Sequence, residues 1–241
     1  MGTSCKFAPI HWIFPSAHCI LIGSSDNHHT GSLHSDFQIF KSSNFKIDFL
    51  SSRMDFTNDI EHCLAVLEEG GLILYPTDTV WGIGCDATNA AAVRKIHEVK
   101  NRPGTKTMIV LVAEEKDILQ YVPNPDITIF DYLQQAEKPT TVIYPAAVGL
   151  ADNLIAADGS IAIRIVQDSF CGHLIKRFRK PIVSTSANIF EHAAPASFKD
   201  IVHYIKQAVD YIVQYRQDDD APQTASSIIR WQQNSPVVIR P

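Results

Sequence analysis

The sequence predicts an α/β protein built on a mixed sheet. Two observations carry that expectation. From residue 54 to the end, helix-period stretches with capping signals interleave with short runs of β-branched and aliphatic residues. No internal repeat or low-complexity linker interrupts them. The composition, 45% hydrophobic and 20% charged over 241 residues, is that of an ordinary globular chain.

The elements follow in order. "TNDIEHCLAVLEEGG" reads as a helix capped by Thr57 or Asn58, with Ile60, Cys63, Leu64 and Leu67 on one face and Gly70-Gly71 as its stop. "LILY" (72–75) reads as a buried strand, and "GIGCDA" (82–87) as part of the turn that follows. Asn89 caps a helix reaching about Val99. "TMIVLV" (107–112) is a second buried strand, followed by helices near 114–120 and 126–136. "TTVIY" (140–144) and "IAIRIV" (161–166) are strands rich in β-branched residues. A helix near 168–178 leads to the strand "PIVS" (181–184), and "FKDIVHYIKQAV" (198–209) has the spacing of one amphipathic helix. "YIVQY", "SSIIR" and "VVIR" close the chain as strands.

Residues 1–53 behave differently, with Ser, His, Asn and Phe in no clear period. They read as an irregular N-terminal extension, poorly ordered or not native, ahead of a functional domain at 54–241. The cluster His28, His29 and His34 has metal-ligand chemistry but an irregular setting. No basic start and small-residue cleavage pattern marks a signal peptide, and no apolar run is long enough for a membrane span. The net charge of −5 argues against a protein that grips nucleic acid by phosphate neutralisation. Five cysteines without a CxxC pair fit a reducing compartment, hence the cytoplasm, and no structural zinc.

Ready-made motifs are weak. "GIGCDA" matches a dinucleotide fingerprint only loosely, because the helix starts later and no acidic ribose partner follows. Cys85 and Cys171 are conceivable nucleophiles, but small buried cysteines are the commoner case. Three other stretches say more. "KNRPGTK" puts Lys100, Arg102 and Lys106 within seven residues at a helix end. The helix dipole accounts for one or two of these cations, and three suggest a polyphosphate or carboxylate ligand. "STSAN" (184–188) leaves a strand with three hydroxyls and an amide. Thr77, Asp78 and Thr79 leave another strand end, where α/β sheets bind ligands.

Together these stretches resemble the YrdC-like family of threonylcarbamoyl-AMP synthases in its short, single-domain form. "GGLILYPTDTVWGIGCDA", "KNRP..K", "TTVIYPA", "IAIRI" and "PIVSTSAN" occur in the family's order and approximate spacing, over about 54–241. The signature is a Lys-x-Arg turn, here Lys100 and Arg102, with a later Ser-x-Asn turn, here Ser186 and Asn188. The resemblance implies a twisted open α/β sheet with helices on its faces and a concave, positively charged groove. It implies that L-threonine, bicarbonate and ATP give threonylcarbamoyl-AMP and pyrophosphate. The product would pass to a separate transferase complex that modifies tRNA, with little or no direct tRNA binding by this chain. By the same match Lys100 and Arg102 are catalytic, at solvent-accessible groove positions. Lys106, Thr141, Ser186, Asn188 and Arg240 contact ATP, and Thr77, Ser184 and Ser226 serve the threonine side. Mg2+ would arrive with ATP, with no protein ligand named. The chain departs from the family's pattern at Asp78, commonly Glu, at Trp81, commonly Tyr or Phe, and at Phe190-Glu191, commonly Ser-Gly.

Two alternatives stay open at the level of sequence. One is an RNA-binding module without catalysis. The other is a carbamoyl-adenylating relative such as the YrdC-like domain of hydrogenase maturation proteins.

Overall fold

The computed structural model describes residues 56–101, 108–221 and 224–241, all within the unit Leu50–Pro241. The N-terminal histidines, Met54, Arg102 and Lys106 lie outside the described residues.

Among the described residues, nine strands form one sheet in the order β7-β1-β2-β6-β3-β5-β4-β8-β9. They are β1 Ile73–Tyr75, β2 Gly82–Gly84, β3 Ile109–Val112, β4 Thr140–Tyr144, β5 Ile161–Ile165, β6 Ile182–Ser186, β7 Tyr211–Ile212, β8 Ser227–Gln232 and β9 Ser235–Arg240. Three neighbouring pairs, β1–β7, β3–β5 and β4–β8, are parallel and the rest antiparallel, so the sheet is mixed as expected. The helices are α1 Thr57–Glu68, α2 Ala90–Val99, α3 Glu115–Tyr121, α4 Thr128–Gln135, α5 Ser169–Phe178 and α6 His203–Gln207. Helix α1 packs on α5, β1 and β7, while α3 and α5 both pack against β3. Among the described residues no helix is long and apolar enough to cross a membrane.

Local chemistry explains most boundaries. Asn89 caps α2 by accepting from the backbone N–H of Ala91 at 3.0 Å and Ala92 at 3.2 Å. Asp168 does the same for α5 through the Cys171 N–H at 2.8 Å. Gly70 ends α1 at φ 70°, a conformation glycine adopts without steric cost.

Three expectations need correction. The N-cap of α1 is Phe56, with no side-chain cap bond, rather than Thr57 or Asn58. Packing sets this start: the Phe56 ring is buried against Phe170 and Tyr215, with centroids 5.6 and 5.2 Å away. The stretch 198–209 is not one helix. A 3-10 turn, Phe198–Asp200, is closed by reciprocal bonds between Ser197 and Asp200, and the backbone turns extended at Ile201 and Val202 before α6. Ile201 and Ile205 still reach the core, so the apolar spacing is met without a continuous helix. Finally, Gly82–Gly84 is a strand between β1 and β6 rather than part of a turn. Its glycines make room: a Cβ on Gly84 would lie 2.6 Å from Cε1 of Tyr75 and 2.8 Å from the carbonyl of Val183. The fully buried Tyr75 ring occupies that space and donates its hydroxyl to the same Val183 carbonyl at 3.3 Å.

Candidate active site

A cleft of about 330 Å³ opens where the end of β6 meets the start of β3, roofed by the residues that lead into β8 and by the end of β9. Its lining holds two guanidinium groups, Arg164 and Arg240, and hydroxyls from Thr79, Ser184, Thr185, Ser186 and Ser226. No described lining residue carries a carboxylate.

Arg164 is the cation that motif reading passed over. It sits in β5 opposite Leu111 and Thr141, and its Nη2 donates to Oδ1 of Asp78 at 2.8 Å. The two side chains are 3% and 7% exposed. The Nε of Arg164 is buried and has no hydrogen-bond partner among the described residues. One signal was available: "IAIRI" places an arginine inside a strand otherwise aliphatic, and a buried guanidinium needs a reason. Asp78 keeps the acidic character of the position commonly filled by Glu, and it also accepts from the Gln167 N–H at 3.2 Å.

Arg240 reaches back from β9 and donates through Nε and Nη2 to the carbonyl of Ser226, at 3.1 and 2.8 Å. Burial and then repulsion by Arg164 lower its pKa from the ordinary guanidinium value. Two guanidiniums that feel each other across a cleft gain from an anion placed between them. Beneath them Thr141, fully buried in β4, hydrogen-bonds the Ser226 hydroxyl at 2.9 Å. Of the residues expected at the site, then, Ser184, Ser186, Ser226 and Arg240 line one cleft, and Thr141 supports Ser226.

Lys100 and Asn188 meet behind the rim. The Lys100 side chain is 2% exposed, which overturns the expectation of a solvent-accessible position. Helix α2 ends at Val99 and directs its ammonium at the exit of β6. There it donates to the main-chain carbonyls of Ser186 and Asn188 and to Oδ1 of Asn188. The Ser186 hydroxyl also donates to Oδ1 of Asn188, and the Phe190 N–H returns a bond to the Lys100 carbonyl at 2.9 Å. Glu191, where the family pattern has glycine, lies at φ 67°.

Thr77 is not in the cleft lining. It is 2% exposed and organises its own turn, donating to the Val80 carbonyl at 2.7 Å and accepting from the Thr79 N–H at 3.0 Å. That turn brings Thr79 to the cleft. Trp81 packs against Phe198 at 4.8 Å. Cys85 and Cys171 are buried, and desolvation pushes both thiols far above the range in which a thiolate forms.

The family model described as "Telomere recombination" (Sua5, YciO, YrdC) matches residues 65–241. The chain is 32% identical over 161 residues to the threonylcarbamoyl-AMP synthase of Hahella chejuensis, covering 63% of this chain and 83% of that protein. It is 33% identical over 135 residues to the threonylcarbamoyl-AMP synthase of Vibrio campbellii, covering 54% and 72%. Among solved structures it is similar to P. abyssi Sua5 complexed with L-threonine, with a TM-score of 0.66, 24% identity, and 76% of this chain against 53% of that one. It is also similar to E. coli YciO, with a TM-score of 0.65, 18% identity, and 76% and 88% covered.

Proposed function

The chain belongs to the Sua5/YciO/YrdC family, and we propose that it is a threonylcarbamoyl-AMP synthase that turns L-threonine, bicarbonate and ATP into threonylcarbamoyl-AMP and pyrophosphate. The observation that carries this reading is the cleft itself: two arginines and five hydroxyl side chains, with no carboxylate among its described lining residues. Such a lining suits two anions brought together, a carbamate and a triphosphate.

The reaction asks for positioning and charge neutralisation rather than a covalent nucleophile. Threonine's carboxylate faces Arg164, whose Nη2 is anchored by Asp78 and whose Nε is left to donate. Its amine adds to bicarbonate, losing water, to give the carbamate. A carbamate oxygen then attacks the α-phosphorus, a P–O bond forms, the bond to the β-phosphate oxygen breaks, and pyrophosphate leaves. Arg240, with Arg102 and Lys106, neutralises charge on the phosphates. Ser184 and Ser226 hold the threonine side, with Thr141 acting through Ser226 and Thr77 through its turn. Ser186 contacts the nucleotide, and Lys100 and Asn188 fix the loop that presents it.

Among the described residues no cluster of three or more His, Cys, Asp or Glu side chains could hold a metal ion, and we name no protein ligand for Mg2+. In this reading it would travel with ATP on phosphate and water oxygens, and none of the steps above passes through a protein-bound metal. The protein would work in the cytoplasm and pass its product to a separate transferase that modifies tRNA, without gripping tRNA itself.

The test is product identification. With ¹³C-bicarbonate, ATP and L-threonine, mass spectrometry should find threonylcarbamoyl-AMP carrying one heavy carbon. AMP and pyrophosphate alone would refute the assignment.

A further inference from the structure

The opposite end of β3 holds a second cavity, of about 300 Å³. Val112, the last residue of β3, forms its floor together with Ile175 of α5 and Pro181, all buried. Tyr121 of α3 forms one wall. Strands β3 and β5 are parallel neighbours, and each runs from its carboxyl end into a helix, α3 and α5 respectively. The cavity lies between those two helices, just outside the carboxyl end of β3. The candidate active site uses the other end, at Met108 and Ile109, so this cavity has no part in the chemistry above.

Its charges do not balance. Lys116, Lys176, Arg179 and Lys180 line it, with Glu114 and Asp117. Glu114 is shared between Lys116 at 2.5 Å and Lys176 at 2.6 Å, and Lys180 pairs with Asp86 at 2.7 Å. Asp117 is engaged by the backbone N–H groups of Ala113 and Glu114, at 3.1 and 2.9 Å. Arg179 is left over, and among the described residues it enters no ion pair. Attraction to the C-terminal dipole of α5 accounts for a cation or two there, but not for four around an apolar floor. Arg179 also stands at the C-cap of α5 with φ 60° and ψ 20°, a conformation in which glycine would be less strained.

We propose that this cavity is a binding site for a small organic anion. A single carboxylate or phosphate head would take the Arg179 fork, and an apolar body of about one ring would lie over Val112 and Ile175. The volume sits at the low end for ligand pockets, which suits a small anion.

The test is an NMR titration of the full chain with phenyl phosphate, benzoate and inorganic phosphate. Saturable shifts at the amides of Ala113, Tyr121, Ile175 and Arg179 are expected, with either aromatic anion binding about tenfold more tightly than inorganic phosphate. The tighter of the two aromatic anions identifies the head group. Arg179→Gly should weaken that binding about tenfold or more without lowering Tm, because glycine suits the backbone. No saturable shifts at millimolar probe, shifts confined to Ser184 and Ser226, or undiminished affinity in Arg179→Gly would each overturn the proposal.

Discussion

The ammonium of Lys100 donates to both oxygens of Asn188, the main-chain carbonyl at 2.5 Å and Oδ1 at 3.3 Å. The end of α2 and the exit of β6 are therefore tied together by hydrogen bonds from one side chain. Lys100→Ala would strip the Asn188 carbonyl of its donor in a half-buried position, while the Ser186 carbonyl keeps the Asn188 N–H at 2.9 Å and Oδ1 of Asn188 keeps the Ser186 hydroxyl. It should lower stability by about 1–3 kcal/mol, as well as turnover. Arg102→Ala, with its charge directed in our reading to the phosphates, should cost turnover about 100-fold or more with Tm unchanged. Urea unfolding beside steady-state rates would separate the two. A Lys100→Ala protein as stable as the parent would contradict the bracing role.

Glu191 is the second half of the family departure. At φ 67° it occupies the left-handed region where a side chain is strained. Glu191→Gly should relieve that strain, offset in part by greater freedom in the unfolded chain, for a net gain of up to about 1 kcal/mol. Thermal unfolding would register it as an increase in Tm. A marked drop in Tm would mean that the Glu191 side chain itself supports the loop.

Asp78 and Arg164 form a buried ion pair beside the cleft. Asp78→Asn should destabilise by about 3–5 kcal/mol, because it strands a desolvated guanidinium. The apolar double variant Asp78→Leu/Arg164→Met should regain much of that stability and remain inactive. Recovery of threonine-dependent activity in the double variant would remove Arg164 from the site.

Why motif reading missed Arg164 has a physical answer. Its partner lies 86 residues away in sequence, and no local spacing joins the end of β1 to the middle of β5. The strands built on β-branched runs and the helix opened by Asn89 were legible because local propensity and packing agree there. Strand β2 was not, because two glycines read as a turn when Gly84 clears the Tyr75 ring and Gly82 lies close against the Ser184 hydroxyl. The helix expected over 198–209 failed for the opposite reason: its period is right, but Ser197 and Asp200 close a tighter turn first. Of the cleft residues, Ser226 and Arg240 come from the family pattern alone, whereas Ser184 and Ser186 also lie in the polar strand end "STSAN".

Glu114 predicts a pH dependence. Hydrogen bonds from Lys116 and then Lys176 hold its carboxyl down at about 2, against an ordinary 4.5. A depressed folded-state pKa adds stability that is fully present above the unfolded value and fades as pH falls through the folded one. The contribution should therefore be complete above about pH 4.5 and gone near pH 2. Because the group is exposed, salt should shrink it. Acid titration of stability in Glu114→Gln should show a shallower slope in that window than the parent. Identical slopes at low salt would contradict it.

The most direct test of the proposed function is pyrophosphate release from ATP by the full chain, with L-threonine and bicarbonate supplied separately and together. Release that requires both, and that is much slower with serine in place of threonine, is the expected result. Release from ATP that is indifferent to threonine would contradict a cleft built to join a threonine carbamate to the α-phosphate.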